Sequence, residues 1–190
     1  MKMQKRSASG FSILELLVSM LVMGVMVAAT LLEMQPAIQQ MRATSGANLL
    51  EGQMRLARQM SIAQRRDIVV QFLGTNEIKL TRQEIPAGVT VLSDVFLPPT
   101  VTFQIFPGNG DTPDGFGNAG TVEFGGIVGG PPIMQFQSDG SLIDGAGNQL
   151  NGTIFIGVTN TPTSGHAVTI LGATGRVRMY KGTGGGWIQQ

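Results

Sequence analysis

The chain has 190 residues, 13 Lys and Arg against 12 Asp and Glu, one histidine and no cysteine. With His166 the sole histidine, there is no Cys–His pair and no HExxH or CxxC metal pattern, and no nucleophile–base pair can be assembled that would argue for an enzyme. The 27 glycines and a charged fraction of only 13% point to a turn-rich, strand-rich body rather than a helical bundle. The first element along the chain is apolar. From Phe11 to Leu32 the only ionisable side chain is Glu15, and as a helix this stretch rises about 33 Å at roughly 1.5 Å per residue, enough to cross a hydrocarbon core. A carboxylate in such a segment costs on the order of 2.5 kcal/mol or more at mid-bilayer depth, which marks Glu15 as a functional position.

Three readings of residues 1–32 differ chemically. A secretory signal peptide also has a basic start, here Lys2, Lys5 and Arg6, and would be cut after Val27-Ala28-Ala29 to leave Thr30 first. Glu15 interrupts its apolar core, however, and that core is long for a signal. A plain anchor accounts for the length but gives no reason for Glu15. The third reading takes Gly10-Phe11-Ser12-Ile13-Leu14-Glu15 together: a basic, polar leader ending in a small residue, then an aromatic, then Glu at the fifth position. This pattern resembles a type IV prepilin signal.

The resemblance implies cleavage after Gly10 by a prepilin peptidase, N-methylation of Phe11 as the new terminus, and Glu15 as the fifth residue of the mature chain. In a filament that carboxylate would pair with the terminal amine of a neighbouring subunit, since a buried charge is tolerable only when paired. Glu15 is then an assembly residue, not a catalyst. The cationic leader sets the N-terminus on the cytoplasmic side, so that the chain is a single-pass protein of the bacterial inner membrane with its C-terminal domain in the periplasm.

The helix is expected to continue beyond the membrane. Ile38, Ser45, Leu49, Leu56, Met60 and Ala63 share one stripe at helical period, with Arg55, Arg58 and Arg65 opposite. Pro36 predicts a kink or local unwinding, and the helix should end near Arg66-Asp67. From Ile68 the period becomes two. Candidate strands are residues 68–73, 77–82, 89–92, 101–106, 121–124, 133–137, 153–159, 166–171 and 176–181. Gly74-Thr75-Asn76, Ser138-Asp139-Gly140 and Ala173-Thr174-Gly175 carry turn chemistry. Residues 106–120, 125–132 and 140–152 read as loops, and Gly182–Gly186 with Trp187 as a flexible tail.

Charge is segregated along this chain. Five arginines against Glu51 occupy residues 42–66, seven acids and no Lys or Arg occupy residues 83–175, and Arg176, Arg178 and Lys181 close the sequence. Near the end, Phe136-Gln137-Ser138-Asp139-Gly140-Ser141, Ile154-Phe155-Ile156, Val168-Thr169-Ile170 and Gly175-Arg176-Val177-Arg178 resemble the C-terminal pattern of the GspH/FimT minor pilins. That family places two β-sheets after the common helix. The expected fold is therefore α+β and pilin-like: a leader at 1–10, a helix at 11–66 whose residues 11–32 cross the membrane, and an antiparallel two-sheet periplasmic domain at 67–190. The partners implied are other pilins or pseudopilins in a filament, the prepilin peptidase and the inner membrane, with no cofactor and no small-molecule substrate. The leading reading is a minor pseudopilin of type II secretion; the alternative is a FimT-like minor pilin of a type IV pilus.

Two chemical features compete with that structural role. Arg176 and Arg178 fall on one face of a strand about 7 Å apart, with Lys181 near, and such a pair can engage successive phosphates; some FimT-like members bind DNA through a Gly-Arg-x-Arg motif. The plainer reading is that these charges solvate an edge strand, and the acidic middle repels phosphate. Asn109 to Gly115 and Asp139 to Asn148 concentrate oxygen ligands suited to calcium, yet lack EF-hand spacing, and turn-forming Asp and Asn account for the same letters. No metal site is expected.

Overall fold

The computed structural model describes residues 12–106, 108 and 110–190. Gly10 and Phe11, the expected cleavage site, lie outside the described residues. The chain divides into two compact units, the first ending at Ile38 and the second running Gln39–Gln190. The helix α1, Ile13–Gln64, contributes to both.

In the first unit the helix is long and apolar enough to cross a membrane, and its side chains from Ile13 to Leu31 are exposed. Ser19 and Thr30 each donate their hydroxyl to the carbonyl four residues back, at 2.6 and 2.8 Å. Both hydroxyls are thus satisfied within the helix, which suits an apolar surrounding. Pro36 lies inside α1, and the backbone does not unwind there as the sequence predicts.

In the second unit α1 closes at Gln64. Arg65 takes a left-handed φ of 51°, and the Arg66 amide reaches back to the Ser61 carbonyl at 3.3 Å, a Schellman-type end. Two antiparallel sheets follow. The first is built from β1 (Ile68–Leu73), β2 (Glu77–Gln83), β3 (Val89–Phe96), β7 (Met134–Phe136) and β8 (Leu142–Asp144) in the order β3-β2-β1-β7-β8. The second has the order β12-β11-β10-β9-β5-β6. Its strands are β5 (Val122–Phe124), β6 (Ile127–Val128), β9 (Gly152–Val158), β10 (His166–Leu171), β11 (Arg176–Gly182) and β12 (Trp187–Gln189), and β4 (Val101–Phe103) also pairs with β9. This is the α+β, helix-plus-two-sheet architecture read from the sequence.

Three short strands were not anticipated. β6 and β8 lie inside segments read as loops, and β12 replaces the flexible tail: Trp187, Ile188 and Gln189 pair with Gly182, Lys181 and Tyr180. The amphipathic face of α1 also differs from the expected stripe. Ala43, Ala47, Leu50, Met54, Ala57 and Ser61 are buried, whereas Ser45, Leu56 and Ala63 are exposed. The helix approaches the sheets through small residues. A Cβ on Gly46 would stand 3.0 Å from Val101 and 3.4 Å from Pro98, so the backbone here is nearly in contact with the β domain.

One continuous core joins this helix face to Ile68 and Val70 of β1, Ile154 and Ile156 of β9, Val168 and Ile170 of β10, and Val177 and Met179 of β11. Phe72 bridges the sheets, its ring centroid 5.6 Å from Phe103 and 6.2 Å from Phe124. Every residue of β9 is buried, because the outer face of the second sheet is covered too. There Phe155, Ala167 and Tyr180 form a separate cluster with Ile105 and Trp187, and the Trp187 indole donates to the Gly110 carbonyl at 2.8 Å. The segment between β4 and β5 therefore lies over this face and is not a free loop.

Candidate functional site

Glu15 stands in the first turn of α1, and its side chain is exposed. A carboxylate near a helix N-terminus also faces the positive end of the helix dipole.

The three cations expected to act together at the end of the chain are separated by the fold. Arg178 is held by Asp114, Nη1 to Oδ1 at 2.7 Å. The same carboxylate accepts the hydroxyls of Thr169 at 2.6 Å and Tyr180 at 3.0 Å. Burial alone would raise the Asp114 carboxyl, but the hydrogen bonds from Thr169 and Tyr180 and the charge of Arg178 hold it below its ordinary value. Burial, together with the hydrogen bond to Asp114, pushes the Tyr180 phenol up. This cluster fastens the β4–β5 segment to the second sheet. Lys181 lies on the other face of β11 by strand alternation and is in register with His166.

Arg176 goes elsewhere. It lines an open hollow of about 410 Å³ together with Arg55, Arg58, Gln59, Thr174 and Gly175. Arg58 was expected on the solvent side of the helix. It is instead half-buried, with its Nε shielded from solvent and without a hydrogen-bond partner. Arg55 pairs with Glu51 at 2.7 Å, while among the described residues neither Arg58 nor Arg176 meets a carboxylate.

His166, the single imidazole, is buried at the start of β10. Its Nδ1 lies 2.8 Å from the Ser164 carbonyl and its Nε2 3.4 Å from the Thr44 hydroxyl of α1. Burial pushes its pKa down, the hydrogen bond to Ser164 opposes this, and the nearby Lys181 charge adds to the lowering. Thr161 donates to Gln39 at 2.6 Å, and Gln40 donates to Thr163 at 3.4 Å. These contacts tie the β9–β10 connection to α1, a structural role.

The acidic loops are likewise engaged locally. Asp111 accepts the amides of Thr112 and Gly117, and Asp144 accepts those of Ala146 and Asn148 with the Asn148 side chain. Among the described residues no three His, Asp or Glu converge on a point where an ion would sit.

Sequence reasoning missed the Asp114 cluster and the Arg58–Arg176 hollow. A cation and a phenol at alternate positions of β11 do signal a shared acceptor above that face, but nothing in the spacing names Asp114. For Arg58 the only signal is that glycines end two of the predicted turns, at Gly140 and Gly175.

No protein-family model matches the chain, and no curated protein sequence does. Among solved structures, the minor pseudopilin EpsH from the type 2 secretion system of Vibrio cholerae aligns with a TM-score of 0.50 over 74% of this chain and 97% of that one, at 14% identity. The type IV minor pilin FimU of Pseudomonas aeruginosa aligns with TM-scores of 0.48 and 0.46 in two crystal forms, over 77% of this chain and 92% and 98% of those, at 15% and 16% identity. At such identity the likeness to EpsH is one of fold: this chain has a pilin-like fold.

Proposed function

We propose that the chain is a minor pseudopilin of the GspH/FimT type, a structural subunit of a short envelope-spanning filament serving type II secretion. The observation that carries this reading is the conjunction of Gly10-Phe11-Ser12-Ile13-Leu14-Glu15, a segment able to cross a membrane, and a C-terminal unit with the EpsH-like fold. A prepilin peptidase removes residues 1–10, Phe11 becomes the methylated terminus, and the apolar helix holds the subunit in the inner membrane until it enters the filament. Within the filament the helices pack together, Glu15 meets the terminal amine of a neighbour, and the β domain at 67–190 faces outward in the periplasm.

The test is leader processing. Expressed with its peptidase, the mature chain should begin at N-methyl-phenylalanine 11; in a peptidase-deficient host it should retain its leader. A mature chain beginning at Thr30 would make it a secreted protein instead. Placement in a type II system is tested by deleting the gene: folded exoproteins should accumulate in the periplasm. Loss of surface pili with normal secretion would assign it to a type IV pilus.

A further inference from the structure

The Arg58–Arg176 hollow is built from two separate parts of the second unit: Arg55, Arg58 and Gln59 come from α1, and Thr174 to Val177 from the β10–β11 turn and the start of β11. Gly140, in the turn between β7 and β8, packs against the Arg58 side chain. Both glycines have positive φ, 85° at Gly140 and 61° at Gly175. A Cβ on Gly175 would overlap the Gly140 carbonyl and stand 2.8 Å from Cδ of Arg58, and one on Gly140 would stand 3.1 Å from its Nε. The two turns thus leave the space that the Arg58 side chain occupies, and any side chain at either position would displace it.

This is an expensive way to place an exposed cation. A shielded Nε without a partner loses its hydration, and a solvated lysine would serve solubility without that loss. Among the described residues neither Arg58 nor Arg176, which share the hollow, has a carboxylate partner, whereas each of Arg55, Arg82, Arg178 and Lys79 does. Two arginines lining one hollow supply the guanidinium groups whose planar, bidentate geometry suits a carboxylate.

We propose that this hollow receives an acidic side chain, Asp or Glu, presented by an adjacent subunit of the filament. The inference rests on the filament reading for the source of that carboxylate. Charge count favours a protein acid over nucleic acid. The Arg55 charge is balanced by Glu51, so two unpaired cations remain where a polyphosphate chain would need a continued track.

The experiment uses the full-length chain in detergent micelles, labelled with ¹⁵N at arginine, and follows the Nε–Hε resonances at matched ionic strength. Three probes are added separately: an octapeptide of alternating Asp and Gly, inorganic phosphate, and a 20-nucleotide single strand of DNA. The peptide should shift the Arg58 and Arg176 resonances saturably, and R58Q or R176Q should weaken it about tenfold, the loss expected for one charge-assisted pair. Arg42→Gln, on an exposed part of α1, should change nothing. Should R58Q fail to fold, R176Q decides alone, because that side chain is exposed. Resonances that do not move, or variants that bind the peptide as the parent does, would overturn the proposal. So would DNA binding more tightly through the same resonances, or phosphate alone saturating them equally. A chain whose leader is never cleaved would remove the filament reading while leaving this titration unaffected, so the two failures are distinguishable.

Discussion

Arg178 and Asp114 are 64 residues apart in sequence and 2.7 Å apart in space. Asp114 is nearly enclosed and accepts from Thr169 and Tyr180 as well. Replacing it by Asn keeps the shape but discards the charge that organises three donors. Asp114→Asn should therefore destabilise the protein by about 2 kcal/mol, the scale of leaving charged-group hydrogen bonds incomplete. Arg178→Gln should act in the same direction with smaller effect, since its partner keeps two donors. Denaturant melts give the energies, and limited proteolysis should cut near Gly115–Gly120 faster in the Asn variant. Additive losses in the double variant would mean that the pair is not coupled.

The face that α1 buries can be tested with two leucines. Leu50 is fully buried in the core, whereas Leu56 is 37% exposed. Leu50→Ala should cost about 3 kcal/mol, a large-to-small change with little room for collapse, and Leu56→Ala should cost under about 1 kcal/mol. Comparable losses at the two sites would restore the stripe expected from sequence.

That stripe failed for a physical reason. Periodicity weights large apolar residues, yet the helix buries Ala43, Gly46, Ala47 and Ala57 because its backbone lies close to Pro98 and Val101. Leu49 and Met60 are left at the margin, packed against the core but half-buried. What was legible was the alternation of β1, β2, β10 and β11 and the turns between them, since β-branched runs bounded by glycine are local signals. What was not legible depends on contacts distant in sequence. β12 exists because Trp187 covers Phe155 and reaches Gly110, and β8 exists because its three residues find β7 across a tight turn. At the end of the chain, the shared face of Arg176 and Arg178 follows from spacing. Their separate fates follow from Asp114 and Arg58, which strand spacing cannot supply.

Stability should fall as the medium is acidified from about pH 7.5 to about pH 5, and His166 should be the reason. Burial lowers its pKa from 6.5, so the folded chain resists a proton that the unfolded chain accepts. Below about 6.5 the unfolded state binds more protons, and stability drops by up to about 1.4 kcal/mol per pH unit until the folded-state pKa is reached. The carboxylates act in another window. Glu84 is lowered by its hydrogen bonds from Thr90 and Arg82, Asp139 by those from Ser141, and Asp144 by those from Asn148, and Asp114 is lowered as described. Their stabilisation is complete above their ordinary values of 3.8 to 4.5 and is lost only as pH falls through the lowered ones. His166→Gln should therefore flatten the melting temperature between the two higher pH values and leave the acid limb intact. A parent protein equally stable at both would contradict the role of burial at His166.

A change at Glu15 should separate the proposed processing from the proposed assembly. The Glu15 carboxylate is five residues from the proposed cleavage point, too far to be the scissile group, and within the apolar segment it has no acidic or basic neighbour from Phe11 to Leu32. Glu15→Gln is nearly isosteric and easier to place in the bilayer, so insertion should be at least as good as in the parent. In a filament, however, it leaves the terminal ammonium of the neighbouring subunit buried without its counter-charge. Breaking such a pair from one side costs about 3–5 kcal/mol, which predicts a fall of more than a hundredfold in incorporation at equal subunit levels. N-terminal sequencing should still find Phe11 first. Recovery of the variant in sheared filaments at the parent ratio, with cleavage intact, would remove Glu15 from the assembly contact and leave the leader reading standing.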